Sequence, residues 1–224
     1  MQIHVLTVFP QLYRAFKEYG MIARAIKKEQ LELCCWSLRR FTDDSYGEVD
    51  DRPYGGGPGM VMKPEPYFRG VEHLQNYCPG APVLLTDAGG KKFDQDAAEY
   101  LSERSEMIIL TGRYEGVDQR VKDNLVDECW SLGDFVTPDG DLPALTIISA
   151  VARLLPGVLG NDSSVKEDSF QDNRLAPPVY TRPDNYRGMV VPEVLLSGDH
   201  EAIKRWRRNK AMERTEEERP ELLD

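Results

Sequence analysis

In the stretch SVKEDSF, Ser164 to Phe170, two adjacent carboxylates, Glu167 and Asp168, lie between two serines with almost no apolar residues to anchor them. Such a pair could take a proton, but the pattern in isolation assigns neither residue a catalytic role. The same spacing suits a helix start: Ser164-x-x-Glu167 has the form of a capping box, which would occupy Glu167 and leave Asp168 free. Arg153 could hold an anion, yet by periodicity alone it is an exposed helix residue. Two glycine-rich clusters, YGGGPGM at Tyr54–Met60 and TGRYEGVD at Thr111–Asp118, could bring backbone close to a ligand. Neither is a phosphate cradle: the first lacks G-x-G-x-x-G and precedes no clear helix, and G-x-x-x-x-G-K-[ST] occurs nowhere. Taken alone, YGGGPGM reads as a mobile loop. TGRYEG directly follows the apolar run MIIL, and similar strand ends recur at LLTDAGG and WSLGDFVTPDGDLP. Three such ends favour one composite pocket beyond the carboxyl edge of a sheet. Four cysteines (Cys34, Cys35, Cys78, Cys129) without a C-x-x-C pair, and three scattered histidines, make a structural zinc site improbable. The cysteines are expected to be reduced, buried thiols.

The elements that must position these residues alternate. IHVLTVF, LELCCWSL, APVLLT and MIILT have strand character, and QLYRAFKEYGMIARAIKKE and DQDAAEYLSERS have helical periodicity. That order predicts an α/β domain with a largely parallel sheet. After the turn-rich TPDGDLP comes ALTIISAVARLL, a helix that Asp141 can cap and whose first turn suits Pro143. Leu145, Ile148, Val151, Ala152 and Leu155 line one face of it, with Thr146, Ser149 and Arg153 opposite. Turn formers then take over, which predicts domains at 1–157 and 174–224 joined by a flexible linker at 158–173.

Charge is uneven. The chain of 224 residues has net charge −10, which argues against an RNA partner, but residues 173–214 carry 9 Lys+Arg against 5 Asp+Glu. Arg205, Arg207 and Arg208 in KRWRRNK are the densest part of that surplus. A local patch can act against the net sign because exposed charges are screened beyond about 8 Å. No signal peptide is apparent, and the longest apolar stretch, broken by Arg153 and Pro156, falls short of the roughly 20 residues a bilayer requires. A soluble, cytoplasmic protein is expected.

GGGPGMVM, GRYEGVDQR, WSLGDFV followed by LPALTIISAVARLLPGVLG, EDSF, YTRP and RPELL occur in this order, and together they closely resemble the bacterial tRNA (guanine-N1)-methyltransferase family, from residue 1 to about 223. The resemblance implies a SPOUT-type trefoil-knotted α/β domain, a linker and a small helical tRNA-binding domain. It also implies an obligate homodimer with a composite active site, S-adenosyl-L-methionine as methyl donor, and magnesium dependence, though no ligand cluster in the sequence identifies a metal site. The donor pocket it implies comprises Leu85, Thr86, Asp87, Gly112, Tyr114, Glu115, Gly116, Ser131, Leu132, Gly133, Phe135, Thr137, Gly140 and Pro143. Asp168 is implied as the base that takes the guanine N1 proton, and Arg153 as the donor that stabilises charge on O6. Where relatives commonly carry leucine–threonine–glycine–glycine, this chain has Thr137, Pro138, Asp139 and Gly140; where they carry proline–glutamine–glycine it has Ala88, Gly89 and Gly90. Two other functions remain open at this point, a knotted ribose 2′-O-methyltransferase and a non-catalytic RNA-binding protein.

Overall fold

The computed structural model describes residues 1–159 and 168–223. The chain divides into two compact units, Met1–Gly160 and Asn161–Asp224. In the first, β1 (Gln2–Thr7), β2 (Glu32–Ser37), β5 (Val83–Lys92), β6 (Glu106–Thr111) and β7 (Glu128–Ser131) form one sheet in the order β2-β1-β6-β5-β7, with every pair parallel. A short antiparallel pair, β3 (Asp50–Asp51) and β4 (Val61–Met62), stands apart from it.

The central strands are apolar at nearly every position because both faces of the sheet are covered. In β6, Met107 and Ile109 enter one core and Ile108 and Leu110 the other. The first core is closed by α1 (Leu12–Glu18), α2 (Gly20–Lys27), α4 (Gln95–Ser102) and α6 (Asp141–Ala152), through residues such as Tyr13, Ile22, Leu101 and Ile148. The second is closed by α3 (Pro64–Gln75) and α5 (Gln119–Asn124), through Tyr67, Val71, Leu74 and Val121.

Several expectations are corrected. The single helical pattern over residues 11–29 is two helices, since Tyr19 is extended and Gly20 sits at φ +63°, a left-handed conformation that glycine tolerates. A helix does follow YGGGPGM after the two residues of β4: α3 starts at Pro64, with Glu65 in its first turn. Its interior Gly70, which disguises the helix in the sequence, lies against β1, where a Cβ would come within 2.9 Å of the Leu6 methyls. In α6 the buried face includes Ala144 and Ile147 beside Ile148, Val151 and Ala152, and Leu145 is only half-buried. Asp141 is not the cap of α6 but its first residue, fully buried. Of the cysteines, all free, only Cys78 is buried.

The second unit holds the hairpin β8 (Asn185–Tyr186) and β9 (Met189–Val190), then α7 (Glu193–Leu196) and α8 (His200–Glu218). Asp199 caps α8, its side chain accepting from the amides of Glu201 and Ala202. Thr215, fully buried on α8, accepts from the Leu175 amide at 3.0 Å and so ties the incoming chain to the helix. Of the segment expected as a linker, Val158 belongs to the first core and Gln171–Asn173 form a short 3-10 turn. Residues 160–167, including Glu167 and the Ser164–Glu167 capping box, lie outside the described residues.

Candidate functional site

The carboxyl ends of β5, β6 and β7 deliver three loops to one edge of the sheet. β5 runs beside β7 until Thr86, where the register shifts; pairing resumes at Lys91, so residues 87–90 are pushed out of the ladder. Gly90 is needed at the return, since a Cβ there would stand 2.6 Å from the Cys129 carbonyl carbon. After β6, Gly112 to Gly116 form a tight turn in which Tyr114 has φ +58° and Gly116 φ +105°. That turn is fastened to the end of YGGGPGM: the Glu115 amide donates to the Met60 carbonyl at 3.1 Å and the Met62 amide to the Gly116 carbonyl at 3.0 Å.

The third loop passes close beneath the other two. Gly140 donates its amide to the Gly112 carbonyl at 2.9 Å, and its own carbonyl accepts from the Thr86 hydroxyl at 3.0 Å. A Cβ on Gly140 would lie 2.2 Å from that hydroxyl oxygen, so only glycine lets the chain pass. The Thr137 hydroxyl donates to the Asp139 carbonyl at 2.7 Å, and the Asp139 carboxylate accepts the Asp141 amide at 3.0 Å. The carboxylate that satisfies the α6 terminus is therefore that of Asp139.

Between the loops is a cavity of about 360 Å³, and all fourteen residues of the expected donor pocket line it: Leu85, Thr86, Asp87, Gly112, Tyr114, Glu115, Gly116, Ser131, Leu132, Gly133, Phe135, Thr137, Gly140 and Pro143. Arg113, Lys122, Trp130 and Asp139 line it too, residues whose role the sequence does not announce. Arg113 sits inside TGRYEGVD, and Trp130 and Asp139 inside WSLGDFVTPDGDLP, and all three could have been found there; Lys122 carries no local signal. Arg113 pairs with Asp139 at 3.2 Å and Lys122 with Asp87 at 2.5 Å. With Glu115, the walls carry one more acid than base, and both cations are already paired. Such a lining suits a ligand with cationic character far better than a nucleotide phosphate.

One Asp141 carboxylate oxygen accepts three hydroxyls, from Thr7 at 2.7 Å, Tyr13 at 3.0 Å and Thr111 at 3.0 Å. The other oxygen is buried with no hydrogen-bond partner among the described residues. Burial pushes the Asp141 carboxyl above its ordinary range, against the opposing pull of the three hydroxyls. Burial and this carboxyl together push the Tyr13 phenol up, so it stays a donor. This cluster of hydrogen-bonded side chains joins β1, α1, β6 and α6, and Thr111 and Asp141 are chain neighbours of the pocket residues Gly112 and Gly140.

Of the other expected site residues, Arg153 is half-buried at the C-terminal end of α6 in the first unit. Asp168 is half-buried in a bend at the start of the described part of the second. Arg205, Arg207 and Arg208 are all exposed on α8. Among the described residues, no group of three or more His, Cys, Asp or Glu could hold a metal ion, and no helix is long and apolar enough to cross a membrane.

The chain and its fold have counterparts among known proteins. The chain is 50% identical to the tRNA (guanine-N(1)-)-methyltransferase of Persephonella marina, covering 100% of this chain and 88% of the relative. It is 46% identical to that of Haemophilus influenzae (strain 86-028NP), covering 100% and 92%. The crystal structure of tRNA (m1G37) methyltransferase from Aquifex aeolicus superposes with TM-score 0.82 at 43% identity, covering 98% of this chain and 93% of that one. The family model for tRNA (Guanine-1)-methyltransferase TrmD matches residues 1–224, and the chain belongs to that family.

Proposed function

We propose that this chain transfers a methyl group from S-adenosyl-L-methionine to N1 of guanosine 37 of tRNA, the nucleotide 3′ of the anticodon, the position named for its Aquifex aeolicus counterpart. The observation that carries the reading is the match of the family model to the whole chain, residues 1–224. The cavity supports it: an acid-rich, glycine-lined pocket of about 360 Å³ fits a sulfonium-bearing nucleoside. When bound, that donor supplies an electrophilic methyl group.

Guanine N1 carries a proton at neutral pH and is a poor nucleophile while it does. Asp168 takes that proton as the nitrogen attacks, and general-base help of this kind is typically worth about 10²–10⁴-fold. The negative charge that develops moves toward O6, where the Arg153 guanidinium neutralises it. Arg205, Arg207 and Arg208 hold tRNA phosphates. The working enzyme is a cytoplasmic homodimer, as the family resemblance implies, in which the linker 158–173 of one subunit, bearing Asp168, meets the pocket of the other; the domains it joins are 1–157 and 174–224. Exposed apolar side chains of the pocket lining, Phe135 and Val136, support a partner surface there. The close passage of Gly140 against Thr86 and Gly112 supports a trefoil knot, a threading that chains otherwise avoid. The family resemblance implies magnesium dependence, and among the described residues no group of three or more His, Cys, Asp or Glu identifies its site.

The test is to incubate the chain with methyl-labelled donor and a tRNA transcript, then digest and identify the methylated nucleoside. 1-Methylguanosine at position 37 is expected, absent from a transcript with adenosine there. Asp168→Asn should lower kcat roughly 10²–10⁴-fold while donor affinity stays within a few-fold. A 2′-O-methylated product, or unchanged turnover in that variant, overturns the mechanism.

A further inference from the structure

The segment from Thr137 to Asp141 is tied to the loop after β6 by one isolated backbone bridge, between Arg113 and Asp139, with the Gly140 amide on the Gly112 carbonyl, and side chains supply the rest of its anchoring. One carboxylate does most of this. Asp139 accepts the Asp141 amide through one oxygen at 3.0 Å, which fixes the loop to the start of α6. Its other oxygen receives the Arg113 guanidinium at 3.2 Å, which fixes it to the loop after β6 on the facing wall. Arg113 is held in turn over the Phe9 ring, 4.6 Å from its centroid. The two side chains are only 23% and 15% exposed, so water and salt compete weakly with the pair.

We infer that Arg113 and Asp139 form a latch across the donor pocket, positioning residues that keep its two walls at the separation the methyl donor needs. The inference rests on the pocket being that of S-adenosyl-L-methionine. Without the latch the loop samples wider arrangements, and apparent affinity falls by the fraction of molecules that are binding-competent. The loss therefore falls on donor binding. The reacting atoms are served by Asp168 and Arg153, so KM for the donor should change more than kcat.

The test is a double-mutant cycle read by calorimetry with S-adenosyl-L-methionine and its demethylated product. Asp139→Asn keeps an oxygen for the Asp141 amide and removes the charge; Arg113→Gln removes the partner. Each single variant should weaken binding roughly tenfold, about 1.4 kcal/mol, and the double variant should be no weaker than either. Asp139→Ala, which also strips the α6 amide of its acceptor, should be weaker than Asp139→Asn. Additive losses, or donor binding unchanged in both single variants, overturn the latch while leaving the pocket assignment intact. Wild-type chain that binds no donor overturns the pocket assignment and the latch together.

Discussion

At the scale of single residues, the molecule keeps one acid where it is hardest to keep. Asp141 is fully buried, accepts three hydroxyls through one oxygen, and has a carboxyl raised above its ordinary 3.8 by burial. A raised folded-state value means the folded chain retains this proton over a pH range in which the unfolded chain has lost it. The contribution to stability is thus fully present below the unfolded value and is lost as pH rises through the folded one. Asp141→Asn, which preserves the hydroxyl acceptor and cannot ionise, should flatten the fall in stability across that window. Urea midpoints at pH 4 to 8 for both proteins check it, and parallel curves would remove Asp141 as the cause. Nothing in the sequence reveals this environment: aspartate before a leucine–proline pair looks like a cap, and its burial follows from Thr7, Tyr13 and Thr111, which are up to 134 residues away.

At the scale of elements, the pocket exists because three loops are made to pass within hydrogen-bonding distance. The tightest crossing is at Gly140, between the Thr86 hydroxyl and the Gly112 amide. Gly140→Ala should destabilise the fold by about 1–3 kcal/mol through overpacking and weaken donor binding at least tenfold. Chemical denaturation and calorimetry measure the two effects, and an alanine variant with wild-type values in both would show that the crossing has slack. The strand ends LLTDAGG, ILTGRYEG and WSLGDFVTPDGDLP were legible as a joint pocket because strand character stops and glycine begins in each. The register shift in β5 between Thr86 and Lys91 was not, since a bulge depends on what the neighbouring strand offers.

For the whole molecule, the net charge of −10 and the basic stretch of α8 have to be reconciled. Arg205, Arg207 and Arg208 are exposed on α8, where helical spacing spreads them around the surface instead of stacking them. Replacing all three with glutamine should weaken tRNA binding and lower the slope of log affinity against log salt by roughly 2–3, at about 0.7–0.9 for each phosphate that is no longer neutralised. Filter binding between 50 and 300 mM salt reads the slope, and an unchanged slope would move the RNA footprint off this helix.

The sequence by itself determined the class of fold, the family and which loops form the pocket, because strand and helix periods, glycine positions and ordered motifs are local properties that survive without coordinates. The tertiary structure alone decided that Asp139 and not Asp141 satisfies the α6 terminus, that Arg113 and Lys122 are spent on ion pairs, and that Gly20 splits one helical pattern in two. Hydrogen bonds and ion pairs are chosen by whichever groups the fold brings together, and that choice has no signature in the order of residues along the chain.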